Sequence, residues 1–477
     1  MFPEVTRVTV DLEPGRGLTF ANMTTTTARG FGATSVVLAG GVALHAINLF
    51  LTISLLPTAI SEIGGERLYA WSATAFTIAS VISSMLVSRL LARRGPAMAY
   101  LIALAPFLLG TVLAALSPTM GVMLVGRAIQ GIGGGLIAGL GYAVIQTAYP
   151  ERLWAKATAL VSAMWGVGTV AGPAIGGAFA QFGAWRLAFW LLTVLGVGIA
   201  VVVPRALPRS AQVAVSERIP VVSLTVFALA AALVSVAGVL TDVALITVTI
   251  VAALVVIAWF IRRERRSAVR VLPATTYSAR SPLKWMYLSI GILALGTVSE
   301  AFAPLFGQRL AGLPPLVAGF LGAAVSVGWS ITMLFSASTT RPRTLRRMRI
   351  AGPAILAVGL TVTGLFQVDN AGPGLVVIWF VALAVAGAGV GIAFPHQLVA
   401  VMGSTTDPVE AGKASAGINT VELMGLAFGS ALGGLLVNLG SPSMSRSAQF
   451  LMFGLAAIAV LGAFIARRTD PITRDDQ

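Results

Sequence analysis

The chain of 477 residues is too apolar and too sparsely charged to be surrounded by water on all sides. Hydrophobic residues make up 57% and charged residues 10%, whereas an ordinary soluble protein has roughly 25% charged residues. The net charge of +15 does not indicate nucleic-acid binding, because the basic residues occur in short segments between apolar runs. The absence of cysteine excludes disulfides and cysteine catalysis.

Fourteen apolar stretches follow a mixed, polar N-terminal segment, and each is long enough to cross a bilayer as a helix. We therefore expect an all-α polytopic membrane protein with about 14 transmembrane helices. The predicted spans are 35–58, 69–91, 97–117, 120–147, 155–180, 185–204, 220–240, 243–261, 284–307, 315–337, 349–367, 374–402, 411–437 and 447–466.

Basic residues are distributed unevenly between the two sides of this arrangement. The tails and the loops on the same side as the N-terminus contain 27 of the 32 Lys and Arg residues. Cytoplasmic loops are rich in Lys and Arg, so both termini are predicted to be cytoplasmic and the membrane to be the cell (inner) membrane. Of the remaining five arginines, one lies within a span and four lie in outer loops: Arg127 in the span, and Arg67, Arg186, Arg309 and Arg446 outside.

An internal repeat divides the chain into halves. Residues 155–177 and 412–434 align without a gap at an offset of 257, with a lysine and four glycines in common. Two six-helix halves separated by an inserted helix pair explain this offset, although chance likeness between glycine-rich helices is an alternative. The predicted organisation is a tail at 1–32, a half at 33–205, a linker with two extra helices at 206–270, a half at 271–468 and a tail at 469–477.

The fourth span contains Arg127, Gln130 and Gly131 in the run Arg-Ala-Ile-Gln-Gly-Ile-Gly-Gly-Gly. This run resembles the RxxQGxGxG pattern of the major facilitator superfamily, which implies the major facilitator fold. An arginine within a span costs about 3 kcal/mol on insertion scales and usually faces the bundle interior. Arg127 could pair with a carboxylate, tune a proton-binding group, or bind backbone carbonyls.

The fifth span resembles the antiporter pattern GxxxGPxxGG of drug:H+ antiporters. The matching residues are Gly168, Gly172, Pro173, Gly176 and Gly177. Three of these glycines lie on one helix face, so a neighbouring helix can approach closely, and the proline favours a bend. The resemblance implies a gate that prevents leak during antiport; ordinary packing of small residues is the alternative.

The loop after the second span keeps only part of the superfamily pattern GxLADRxGRR. Arg93 and Gly95 fit this pattern, but Ala92 stands where the family has an aspartate. A closed inner gate would therefore need other contacts. The end of the first span, which begins Leu56-Pro57-Thr58, resembles the LP-containing end of helix one in the fourteen-helix drug antiporters. Those transporters often carry an aspartate further up the helix, where this chain has Asn48.

Ionisable residues within the spans are few, and they are the candidates for proton coupling. We predict Glu300 and Glu422 as the coupling pair, with Arg127 and His396 as further candidates; His45 is a weaker one. Glu300 could instead be an outer-edge residue paired with Arg309. The residues predicted to line a substrate cavity are Asn48, Gln146, Trp165, Trp329 and Asn419.

These patterns predict a secondary active transporter that moves a small amphipathic or aromatic molecule. Proton-coupled efflux of the drug:H+ antiport type is one reading, and import of a small nutrient such as riboflavin is the other, since two acids of the antiporter pattern are missing. The sequence has no P-loop and no metal-ligand spacing, so we expect no enzyme activity, no cofactor and no metal. The expected partners are a small-molecule substrate, protons and the lipid bilayer, with the chain as a monomer.

Overall fold

The computed structural model describes residues 32–208, 220–267, 269–278, 281–336, 338–339, 341–404 and 408–469. Within these ranges the regular structure is entirely helical. The first six long helices are α1 (Gly32–Ile63), α2 (Tyr69–Ser84), α3 (Val87–Ala115), α4 (Met120–Ala143), α5 (Trp154–Gln181) and α6 (Trp185–Ala206). The next two are α7 (Val221–Ala237) and α8 (Val243–Arg266). The last six are α9 (Leu283–Ala311), α10 (Pro315–Ser336), α11 (Pro342–Leu365), α12 (Pro373–Met402), α13 (Pro408–Leu439) and α14 (Met444–Ala466).

Each predicted span corresponds to one of these helices. Within the described ranges, twelve helices are long and apolar enough to cross a membrane. The other two, α2 and α7, have only 16 and 17 residues. The sequence of helix α2 is rich in Ser and Thr, and the helix packs against α4 and α13 within the bundle.

The boundary predicted between the second and third spans corresponds to Gly95. The predicted second span, 69–91, is interrupted only briefly: α2 ends at Ser84, and the first part of α3 begins at Val87. Gly95, with φ 72° and ψ 166°, separates this first part from the rest of α3. That backbone conformation is accessible only to glycine, because a Cβ atom would clash. Gly95 therefore breaks α3 into two helical parts at the position where the sequence predicts the connection between the two spans.

The internal repeat is visible as two equivalent helix contacts. In the first half, three glycines of α5 lie directly against the backbone of α1; in the second half, two glycines of α13 lie against the backbone of α9 and a third lies against the ring of Phe302 in α9. The α5 glycines are Gly168, Gly172 and Gly176, and the α13 glycines are Gly425, Gly429 and Gly433. A Cβ atom at any of them would collide with the neighbouring helix, so the glycine spacing sets how closely these helix pairs pack.

One further glycine in each copy makes a contact between the halves. A Cβ atom on Gly177 of α5 would meet the backbone of Pro315 and Leu316 in α10, and one on Gly434 of α13 would meet Ala70 of α2. All these contacts lie where α5 and α13 end and where α2 and α10 begin. The halves are therefore in close contact at one end of the bundle, which we call the sealed end.

The inserted pair packs against the outside of the bundle, beside α2 and α13. Trp71 Nε1 of α2 donates to the carbonyl of Ser235 in α7 at 3.1 Å, and Phe227 of α7 meets Phe428 of α13 edge to face. Helix α8 packs mainly on α7, and almost none of its most apolar part is buried. Helix α8 is thus the most peripheral of the fourteen.

Candidate substrate and coupling site

Arg127 of α4 is the centre of a buried polar cluster in the first half. Its side chain is 2% exposed. The guanidinium donates to the side-chain oxygens of Gln130 and Asn48 and to the backbone carbonyl of Ser72. Gln130 Nε2 donates to Asn48 Oδ1 and to Thr111 Oγ1, each at 2.8 Å. Four helices therefore contribute to the cluster, and its two amide side chains join α1, α3 and α4.

The cation of Arg127 is not neutralised by a carboxylate in the part of the chain that the structure describes. Its guanidinium lies instead over the ring of Phe76, 4.3 Å from the centroid. Of the alternatives raised by the sequence, the structure favours binding to oxygens of amides and of one backbone carbonyl. Asn48, predicted as a cavity residue, is fully buried in this cluster and does not line open space.

Three aromatic rings extend from the Arg127 cluster towards the exposed part of α5. The His45 ring stacks on Phe76 at 5.8 Å and meets Trp165 edge to face at 5.5 Å. His45 is buried, whereas Trp165 is 37% exposed. A flat apolar molecule reaching Trp165 would therefore contact the last ring of a continuous aromatic row.

Glu300 lies in α9, two residues after the interruption of that helix at Val298. Its Oε2 accepts a hydrogen bond from Ser326 Oγ of α10 at 2.8 Å, and the residue is half-buried. The alternative partner suggested by the sequence is wrong: Arg309 pairs with Glu66, not with Glu300. Glu300 is thus a carboxylate inside the second half whose described partner is a neutral hydroxyl.

Glu422 lies in α13 and is also half-buried. Among the described residues it has neither a hydrogen-bond partner nor a basic partner. Asn419, one turn earlier on α13, is exposed. The repeat relates this part of α13 to the part of α5 that carries Trp165, since 422 minus 165 equals the offset of 257.

The other predicted residues of the second half lie in and beside α12. His396 is buried, and its Nε2 has no partner among the described atoms. The same holds for Nε1 of Trp329, whose ring meets Phe394 edge to face at 5.3 Å. The neighbouring Gln397 donates to Ser289 of α9 at 3.0 Å. The side chain of Gln146, the remaining predicted cavity residue, lies outside the described part of the structure.

The glycine pattern of α5 faces two helices at once. Gly168, Gly172 and Gly176 contact α1, and Gly177 contacts α10. Between them, the carbonyl of Pro173 accepts a 3.5 Å hydrogen bond from Ser54 of α1. The last glycine of the pattern therefore lies where the first half touches the second.

Polar contacts close the sealed end, and sequence reasoning did not identify them. Glu66, in the connection between α1 and α2, forms a 2.6 Å ion pair with Arg309 at the end of α9. The hydroxyl of Tyr69 donates to the carbonyl of Ala301, and Asn438 donates to that of Arg67. The sequence contained only a weak indication of this ion pair: Glu66 and Arg309 carry opposite charges, and both lie in connections predicted on the same side of the membrane. Arg93, by contrast, is exposed at the other end of the bundle.

Comparison with known proteins places this geometry in a family. The family model described as Major Facilitator Superfamily matches residues 38–225. The chain is 41% identical to a probable multidrug-efflux transporter of Mycobacterium tuberculosis over 447 residues, which is 92% of this chain and 95% of the relative.

Two further proteins are similar to this chain over most of its length. A multidrug efflux pump of Staphylococcus aureus is 24% identical over 87% of this chain and 92% of its own length. The solved structure of a D-xylose-proton symporter superposes with a TM-score of 0.63 at 15% identity, covering 92% of this chain and 98% of that one. The chain belongs to the major facilitator superfamily.

Proposed function

We propose that this protein exports small amphipathic or aromatic molecules from the cell in exchange for protons. The observation that carries the proposal is the similarity, over nearly the whole chain, to a probable multidrug-efflux transporter. The half-buried carboxylates Glu300 and Glu422 support proton exchange, because neither faces a fixed cation among the described residues. Burial makes the charged form of a carboxyl group costly. Such a group can therefore hold a proton while it is buried and release the proton when it is exposed to water.

The chemistry of the site favours a substrate with a flat ring and a positive charge. Trp165 offers an exposed aromatic surface, and Glu422 provides a carboxylate on the corresponding helix of the other half. Aromatic faces and carboxylates both attract cations. Arg127, held by neutral groups, supplies a fixed positive charge that would keep a cationic substrate on the side of the second half.

The distribution of basic residues supports cytoplasmic termini and location in the cell (inner) membrane. In that orientation the end closed by Glu66 and Arg309 faces outwards. Trp165 and Asn419 then lie in the cytoplasmic halves of α5 and α13. The arrangement corresponds to a transporter ready to load an exported substrate from the cytoplasm. Reporter fusions after residues 209 and 242 should report the cytoplasm and the outer side respectively; two cytoplasmic reports would contradict this topology.

The function can be tested in inside-out vesicles with ethidium, a planar aromatic cation. We expect an imposed proton gradient, acid inside, to drive ethidium into vesicles that contain the protein. Glu300→Gln should abolish the gradient-driven part and leave downhill ethidium exchange intact, because Gln keeps the Ser326 hydrogen bond but cannot release a proton. Asp369→Asn, in an exposed connection, is the matched control for loss of a carboxylate.

Two results would contradict the proposal. Ethidium movement that ignores the proton gradient, with Glu300→Gln behaving like the wild type, would remove the coupling role. Gradient-driven uptake of riboflavin into right-side-out vesicles, without ethidium transport in either orientation, would favour import of a nutrient instead.

A further inference from the structure

A basic pocket lies at the end of α8 and shares no residue with the site described above. It has a volume of about 270 Å³ and is lined by Trp259, Arg262, Arg263, Arg266 and Ser267. The residues at positions 259, 262, 263 and 266 are three or four apart, so they project from one face of the helix. Three arginines and an indole therefore surround a single opening.

The pocket lies at the boundary between lipid and water. Helix α8 is apolar from Val243 to Ile261, and its first basic residue is Arg262. Almost none of the apolar part is buried against protein, so in this membrane protein it faces acyl chains. The indole of Trp259 is 50% exposed, at the depth where tryptophan side chains commonly meet phospholipid headgroups.

The carboxylate closest in sequence is used elsewhere. Glu264 is fully buried on the opposite face of α8. Its Oε1 accepts from Ser223 of α7, and its Oε2 accepts from the backbone N–H of Val271 and from the Tyr277 hydroxyl. Burial raises the pKa of Tyr277 well above its ordinary value, so the phenol remains a donor.

Glu264 therefore stabilises the end of α8 and does not neutralise the arginines that line the pocket. In the described ranges none of the three arginines forms an ion pair, and Nε of Arg263 is buried without a hydrogen-bond partner. Guanidinium groups bind phosphate oxygens through parallel hydrogen bonds. The pocket has the charge, the donors and the position to bind a phosphate at the membrane surface.

We propose that the end of α8 is a binding site for the headgroup of an anionic phospholipid, whose phosphate is held by Arg262, Arg263 and Arg266 and whose glycerol backbone packs on Trp259. The acyl chains then lie along the exposed face of α8. The inserted helix pair thereby has a task of its own, which is to attach the outer surface of the bundle to a specific lipid.

The test is native mass spectrometry of the detergent-purified full chain titrated with phosphatidylglycerol. We expect Arg262→Gln/Arg266→Gln to bind its tightest phosphatidylglycerol about 30-fold more weakly than the wild type, since each basic residue near the surface contributes roughly a fivefold gain. Both side chains are exposed and leave the Glu264 anchor intact. The matched control is Arg341→Gln/Arg343→Gln, which removes the same charge at exposed positions at the start of α11 and should bind phosphatidylglycerol like the wild type.

Two further ligands distinguish the possible sources of the phosphate. Phosphatidylcholine should bind much more weakly than phosphatidylglycerol, because its headgroup has no net charge. An excess of inorganic phosphate should not displace phosphatidylglycerol; displacement would show a site for free phosphate and overturn the lipid assignment. The lipid assignment would also be overturned if Arg341→Gln/Arg343→Gln weakened phosphatidylglycerol binding equally. The same holds if Arg262→Gln/Arg266→Gln bound phosphatidylglycerol as tightly as the wild type.

Discussion

Arg127 is a cation in the membrane-spanning part of the chain that is stabilised by amide oxygens. Removing one partner from a buried charge is costly, because the charge remains desolvated and loses a hydrogen bond. Gln130→Leu should therefore lower the free energy of unfolding by about 2–3 kcal/mol, measured as a lower thermal midpoint in detergent. Gln130→Glu, which offers Arg127 a carboxylate in the same place, should keep or raise the midpoint. Equal midpoints for Gln130→Leu and the wild type would show that the cluster is not stabilising.

At the scale of helices, the glycines of α5 offer an internally controlled experiment. A Cβ atom on Gly172 would collide with Phe50 and Leu51 of α1, whereas one on Gly166 would meet nothing within 4 Å. Gly172→Ala should thus destabilise the protein by about 1–3 kcal/mol through overpacking, and Gly166→Ala should be neutral or slightly stabilising. Thermal midpoints in the same detergent compare the two. Similar effects of both substitutions would refute close α1–α5 packing as the role of the motif.

The helices were largely predictable from the sequence, because lipid demands about 20 apolar residues for each span and the glycine repeat has a fixed spacing. The short interruption between α2 and α3 was not, since Met85 and Leu86 are as apolar as their neighbours. The same limit applies to the site. Arg127 was recognisable by its charge, but the backbone carbonyl of Ser72 that it binds, and the Thr111 hydroxyl that binds Gln130, come close only because four helices pack together.

At the scale of the whole molecule, membership of the major facilitator superfamily confirms the prediction of a multi-pass transporter and not an enzyme. The ion pair between Glu66 and Arg309 joins the two halves at the sealed end. Reversing one charge should open this end, because the resulting like charges repel each other.

Glu66→Arg should therefore increase labelling of a cysteine at position 54, which lies behind the seal, by a water-soluble maleimide. The double variant Glu66→Arg/Arg309→Glu restores opposite charges. Its labelling should return towards that of the protein in which Ser54→Cys is the only change. The chain has no native cysteine, so a single introduced thiol reports alone. Unchanged labelling in Glu66→Arg would show that the ion pair does not hold the halves together.

The two copies of the repeat share their packing glycines but differ in their charges. Under the proposed coupling, Arg127 in the first half is a constant cation. Glu300 and Glu422 in the second half are the acids that bind and release protons. The number of those acids, two, then bounds the stoichiometry of exchange. One proton per monovalent cation would make the cycle electroneutral, whereas two would move net charge inwards and let the membrane potential, as well as the pH difference, power export.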